Sequence, residues 1–311
     1  MTGIIQKIIP HLWFDKEAKE AARFYTSVFP DSKINFEVTL PETPSGDVYT
    51  VGFEIYGYKF MAISAGPLFQ FNPSLSFMIN LDPSKDKDAR SRIDRIWQKL
   101  SEGGQVLMPL EKYPFSERYG WIQDKYGLSW QLILSDPQGE DRPEVIPSLL
   151  FVKDQYGKAE EAMKYYVSIF DNTKEGSIYR YGPGQAPEKE DAVMFADAML
   201  ENQWFAFMDS AAEHEFGFNE AVSFMVYCES QKEIDYYWQK LSHEPEAEQC
   251  GWLKDKFGLS WQVVPAIMDE MMVKGNKDQV KRLVQAFLRM KKFDIPKLEE
   301  AFYGKGEKVK R

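Results

Sequence analysis

Few side chains in this 311-residue sequence could carry out chemistry. Its histidines are His11, His214 and His243, and its cysteines are Cys228 and Cys250, none of them in a CxxC or Cys/His spacing. First-row divalent metals ask for three or four imidazole, carboxylate or thiolate ligands at one place. No such cluster is spaced along the chain, so the expected metal ligands are none and the expected cofactors are none. General acid–base work needs a titratable group beside the reacting atom. His11 in IIPHLWF and Tyr227 in VSFMVYC are the candidates, and no nucleophile–base pair accompanies them. The sequence assigns no reaction.

Recognition is better supplied. Side chains alternate across a strand, so His11 shares a face with Trp13, Ser76 with Met78 and Asn80, and Ser129 with Gln131 and Ile133. Ser148, Ser223, Met225, Tyr227, Ser260 and Gln262 repeat this in the second half. The opposite faces are uniformly apolar: Leu12, Phe14, Phe77, Ile79, Trp130 and Leu132, then Leu149, Phe151, Phe224, Val226, Trp261 and Val263. A concave surface with Met and aromatic walls and a few hydroxyl and amide groups suits a small organic ligand. The same Ser and Gln residues could equally hydrogen-bond one another across a sheet. Trp121 and Trp252 fit either as pocket walls or as core.

The elements that position these residues come from a repeat. Tyr119 to Gln131 reads YGWIQDKYGLSWQ and Cys250 to Gln262 reads CGWLKDKFGLSWQ, identical at nine of thirteen positions. The shared Asp-Lys-aromatic-Gly followed by an apolar run predicts a turn entering a buried strand. IIPHLWF at 8–14 matches VIPSLLF at 145–151, and WQKLS at 97–101 recurs at 238–242. Helical spacing puts Ala18, Ala21, Ala22, Tyr25 and Val28 on one face, as it does Ala159, Ala162, Met163, Tyr166 and Ile169. Strands are expected at 48–55, 59–64, 74–81, 193–200, 204–209 and 221–228, with helices carrying Ala89, Ile93, Ile96, Trp97 and Leu100, and Ile234, Tyr237, Trp238 and Leu241. Each half therefore reads as two βαβββ-like modules, an α+β chain of four modules.

The polar SDPQGEDRPE at 135–144 divides the halves. The expected domains are 1–138 and 145–268, joined by a linker at 139–144 and followed by an extension at 269–311. In the extension Asn276 and Gln279 have capping-box spacing, Val280, Leu283, Val284, Phe287 and Leu288 form an apolar stripe, and Asp294 could cap a last helix. That tail carries twelve Lys/Arg against seven Asp/Glu, so it suits docking on the acidic remainder, or a membrane or partner helix. The halves differ between WQKLS and the repeated turn: Glu102 to Arg118 spans seventeen residues and His243 to Gln249 only seven. In the longer one Tyr113, Phe115 and Tyr119 could cover a pocket. A net charge of −10 argues against a nucleic-acid partner. With no long apolar run, no membrane partner and a cytoplasmic location are expected.

Laid out this way, the chain resembles the vicinal oxygen chelate superfamily of glyoxalase I, ring-cleaving dioxygenases and bleomycin-resistance proteins, and within it the PhnB-like branch labelled 3-demethylubiquinone-9 3-methyltransferase-like. IIPHLWFDKEAKEAARFYTSVFPDSKI, FMAISAGPLFQFN, SFMIN, WQKLS, CGWLKDKFGLSWQVVP and MKKFDIPKLEEAF carry the resemblance over nearly the whole chain. It implies tandem domains, each a pair of modules curled into an open sheet around a cup, with the halves pairing within the chain and a homodimer possible. The positions that hold metal in relatives fall on His11, about Ala62, Ser76 and Gln131 in the first half, and on Ser148, about Phe207, Ser223 and Gln262 in the second. These supply one imidazole and no carboxylate. The expected function is thus metal-free binding of a small, partly apolar or aromatic molecule by His11, Trp13, Ser76, Met78, Gln131, Ser148, Ser223, Met225, Tyr227 and Gln262. The alternatives are a metal-assisted lyase or dioxygenase using His11, and a structural tandem whose cups are filled. Methyl transfer has no support in a cofactor motif: the only Gly-rich candidate, YGPG at 181–184, precedes a polar loop containing Pro187.

Overall fold

The computed structural model describes residues 6–136 and 138–304. Its first module runs β1 (Ile8–Phe14), α1 (Ala18–Val28), β2 (Lys33–Thr43), β3 (Gly46–Ile55) and β4 (Tyr58–Ser64). The second runs β5 (Leu75–Leu81), α2 (Ala89–Ser101), β6 (Gln105–Tyr113), β7 (Ser116–Gln123) and β8 (Ser129–Leu134). The third and fourth repeat the plan as β9 (Val145–Phe151), α3 (Ala159–Ile169), β10 (Lys174–Arg180), β11 (Val193–Leu200), β12 (Gln203–Asp209), then β13 (Val222–Cys228), α4 (Gln231–Leu241), β14 (Trp252–Lys254) and β15 (Ser260–Pro265). An extension of α5 (Ile267–Lys274), α6 (Lys277–Phe287) and α7 (Ile295–Tyr303) follows. The edge strands β2 and β10 are additions to the strands expected above.

The helical stripes bury as their spacing dictates: Ala18, Ala21, Ala22, Tyr25 and Val28 in α1, and Ala159, Ala162, Met163, Tyr166 and Ile169 in α3. Neither helix has a capping side chain of its own. The last strand of each module supplies one, since Ser64 Oγ accepts from the Ala18 amide at 3.1 Å and Asp209 Oδ1 from the Gly157 and Ala159 amides at 2.8 and 3.2 Å. These bonds tie each helix to the sheet beneath it.

Two open sheets result, and each contains two modules. The pairing of modules differs from the expectation that each half closes its own sheet. The seven-stranded sheet has the order β14-β15-β13-β1-β4-β3-β2 and joins the first module to the fourth; the eight-stranded sheet, β10-β11-β12-β9-β5-β8-β7-β6, joins the second to the third. The seams are antiparallel, His11 opposite Ser223 across β1 and β13, and Ser76 opposite Ser148 across β5 and β9. Each half thus contributes one module to each cup, so His11 shares a sheet with Ser223 and Gln262 rather than with Ser76 and Gln131.

The extension docks on its own chain. Its capping box forms as spaced, with Asn276 and Gln279 exchanging bonds of 3.0 Å, and Asp294 caps α7 by accepting from the Lys297 amide. Lys281 pairs with Glu42 at the end of β2, while Met290 and Lys291 carbonyls accept from the Cys250 and Gly251 amides beside β14. β2 and β14 are the two edges of the seven-stranded sheet. The extension therefore crosses that sheet from edge to edge, and its 290–291 segment occupies the flank that β6 occupies in the other sheet, which explains how the seven-residue connection dispenses with a strand.

Candidate functional site

In the eight-stranded sheet the polar residues satisfy one another. Gln131 Nε2 donates to Ser76 Oγ at 2.8 Å and to Ser148 Oγ at 3.3 Å, and its Oε1 accepts from the Tyr119 hydroxyl at 2.8 Å. Both amide hydrogens are used and the oxygen is occupied. Ser129 Oγ accepts from the Trp121 indole at 2.7 Å. Beside this network Met78, Ile146, Trp204 and Ala206 form an apolar cluster of their own. Arg142 from the linker stacks on Trp204, 3.7 Å from the ring centroid, and binds Asp197 at 2.7 Å. Tyr113 and Phe115 stack at 5.6 Å and both meet Tyr119 edge-on. Side chains fill the ground around Gln131, and a recess of about 430 Å³ with a largely charged and polar rim lies beside Asn80, Arg142 and Trp204. Gln131→Leu should therefore act on stability, by about 1–3 kcal/mol for buried hydroxyls left without their partner; urea denaturation showing no loss would contradict that account.

The seven-stranded sheet is different. Ser223 Oγ again accepts from the glutamine, here Gln262 Nε2 at 3.0 Å, but the rest of the network does not close. Trp252, the counterpart of Trp121, turns edge-on to His11 and Trp13, with ring centroids 5.6 and 6.2 Å apart. Ser260 Oγ and His11 Nδ1 are both buried with no hydrogen-bond partner among the described residues. His11 is only 5% exposed, and burial pushes its imidazole down to about 3, so it is neutral at physiological pH and has hydrogen-bonding capacity unused.

On the same sheet a recess of about 400 Å³ opens, lined by neighbours of His11 rather than by His11 itself, within the roughly 300–1,000 Å³ typical of small-molecule sites. Met61, directly paired with His11 across β1 and β4, and Ile9, paired with Met225 across β1 and β13, form part of its apolar lining. Phe36 of β2 joins them because Gly52 has no side chain: a Cβ there would lie 2.4 Å from the Phe36 ring. Tyr227 closes the end, its hydroxyl donating to Asp269 Oδ2 of α5 at 2.8 Å. Burial pushes both groups upward.

The structure thus divides the expected binding residues. His11, Trp13, Ser223, Met225, Tyr227 and Gln262 gather in one cup, and Ser76, Met78, Gln131 and Ser148 in the other. Phe36, Met61 and Asp269 were missed. Strict alternation in Ile34, Phe36, Val38 and Leu40 marks β2 in the sequence; Asp269 gives no local signal because α5 reaches the cup by docking.

The metal positions implied by the resemblance also change. Ala62 pairs with Leu12 and Phe207 with Leu149, both on the helix-side face, so the cup-side residues are Met61 and Ala206. One cup then offers His11, Met61, Ser223 and Gln262, and the other Ser76, Ala206, Gln131 and Ser148. A single imidazole without a carboxylate or thiolate does not fit a divalent first-row ion. Among the described residues no group of three His, Cys, Asp or Glu could hold one, and no helix is long and apolar enough to cross a membrane.

Paired βαβββ modules curled into open sheets, with helices outside and cups inside, define the vicinal oxygen chelate architecture. The chain belongs to the 3-demethylubiquinone-9 3-methyltransferase family, PhnB-like, whose model matches residues 6–133 and 143–264. It is similar to a PhnB protein from Bacillus cereus, at 36% identity over 42% of this chain and 100% of that one, with a TM-score of 0.37. A glyoxalase I mutant from Zea mays shares the fold at 12% identity, covering 83% of this chain and 94% of that one with a TM-score of 0.51. A glyoxylase/bleomycin resistance protein/dioxygenase domain from Frankia sp. matches at 13% identity over 45% and 96%, with a TM-score of 0.32. No curated protein matches the chain. The methyl donor that the family description implies does not fit: Tyr181–Gly184 links β10 to β11, strand to strand, with no helix N-terminus following to cradle a cofactor.

Proposed function

We propose that the chain binds a small, partly apolar or aromatic organic molecule, without metal, in the cup of the seven-stranded sheet, and that the other cup is structural. The observation that carries this is the contrast between equivalent positions. Gln131 and its hydroxyl partners are saturated, whereas His11 Nδ1 and Ser260 Oγ stand unpartnered, with the Trp252 indole edge-on to His11 and a recess lined by Met61, the strand neighbour of His11. An unpaired buried polar group costs about 1–3 kcal/mol, and a ligand that hydrogen-bonds His11 would recover it. Neutral His11 can accept or donate through Nδ1 according to tautomer, which suits orientation of a bound hydroxyl, amide or carbonyl.

Titration with indole, followed by thermal shift and calorimetry, tests this. Binding should weaken about tenfold in His11→Ala, the worth of one hydrogen bond near 1.4 kcal/mol. It should vanish in Met61→Trp, which fills the recess, and persist in Gln131→Leu. Flat titrations with indole and phenol, or binding indifferent to Met61→Trp, would overturn the reading. So would stoichiometric Ni, Zn, Mn or Fe in protein purified without chelators and absent from His11→Ala.

A further inference from the structure

Of the four charged residues that line the recess, Glu54, Lys59, Glu229 and Asp269, the last comes from outside the repeated modules. Asp269 lies in the first turn of α5 and lines the recess with Ile9, Phe36, Met61 and Tyr227. Its Oδ2 accepts from Tyr227, and no described residue donates a hydrogen bond to its other oxygen. The remaining acids at the recess are differently placed: Glu54 is paired with Lys33 at 3.2 Å, and Glu229 is exposed. Lys59 stands exposed at the mouth, near enough to favour the anionic form of Asp269 but outside ion-pair contact with it. Burial pushes the Asp269 carboxyl up, against the pull of Tyr227 and Lys59. Asp269 is half-buried, and a carboxylate partly withdrawn from water gains from a cationic partner placed against it.

Resting on the binding function proposed above, we infer that Asp269, with Tyr227 holding it in place, recognises the basic nitrogen of an organic amine whose apolar body lies against Ile9, Phe36 and Met61. Asp269 lines a recess of about 400 Å³, room enough for a ring and a short aliphatic arm. The extension is then part of the binding site, completing by docking a cup that the two modules leave open at that end.

Calorimetric titration of the full chain with benzylamine, benzyl alcohol and benzoate separates this inference from the reading beneath it. Benzylamine should bind at least about tenfold tighter than benzyl alcohol, the scale of one charge-assisted hydrogen bond, and benzoate weakest. Asp269→Asn should abolish the preference for the amine while leaving benzyl alcohol binding within about twofold. Tyr227→Phe, which keeps the carboxylate but removes its anchor, should weaken the preference without abolishing it, and benzyl alcohol binding retained in both variants shows that neither loss comes from misfolding. If benzyl alcohol or benzoate binds as well as benzylamine, or if Asp269→Asn keeps the amine preference, recognition of the amine fails while the binding cup stands. If none of the three binds, both fail.

Discussion

Replacement of Asp124 or Asp255 by alanine is expected to destabilise the protein by about 2–6 kcal/mol, taking roughly 1–3 kcal/mol for each of two buried side-chain donors left without an acceptor. These are the aspartates of the repeated turn, and both are buried. Asp124 Oδ2 accepts from the Tyr25 hydroxyl and the Trp130 indole, both at 2.8 Å, while Oδ1 accepts from the Tyr126 and Leu128 amides. Asp255 repeats the set with Tyr166, Trp261, Phe257 and Leu259 at 2.6–3.1 Å. Each carboxylate ties the tight turn to a helix of the same half that belongs to the other sheet, since Asp124 lies in the second module and Tyr25 on α1 of the first, and Asp255 in the fourth and Tyr166 on α3 of the third. Desolvation pushes both carboxyls up, with the four donors opposing it. Asparagine should do little better, since its amide turns a donor toward donors. Guanidinium denaturation of Asp124→Ala and Asp255→Ala checks this; a loss below 1 kcal/mol in either would show that the bonds contribute little.

That result bears on why the repeat is so visible. Its retained residues, Asp, Gly, Leu, Ser, Trp and Gln, satisfy turn and core requirements that both sheets impose equally, so the sequence displays the shared architecture strongly. What distinguishes the cups is carried by single side chains. Trp121 and Trp252 occupy the same place in the repeat, yet one donates to Ser129 and the other turns to His11. Alternation placed Leu12, Phe77, Trp130 and Trp261 beneath the helices, since one residue step along a strand reverses the face. Alternation says nothing about which module a strand will pair with. The exchange of partners that brings His11 to Ser223 is a choice between long-range pairings of nearly equivalent modules. The same limit applies to Asp269, whose role depends on where a helix docks.

Phe293→Ala is expected to cost about 3–5 kcal/mol, the usual range for deleting a buried phenyl, and to release the extension from the sheet before the modules unfold. Phe293 is 2% exposed and packs against Phe287 and over Gly251. Gly251 has φ +83°, and a Cβ added there would lie 2.5 Å from the Phe293 ring, so the backbone at that point accommodates the phenyl only as glycine. The Cys250 and Gly251 amides bond to Met290 and Lys291 at 2.8 and 2.7 Å, the docking that replaces a strand at the β14 edge. Loss of Phe293 should therefore raise amide exchange at 250–252 and open Lys291 and Lys292 to trypsin, while amides of β9 and β5 in the other sheet stay protected. Gly251→Ala should reproduce the pattern from the opposite side of the contact. If trypsin instead cleaves throughout the chain at the same rate as at Lys291, the extension unfolds only with the whole protein, and the recess loses its Asp269 only when the fold is lost.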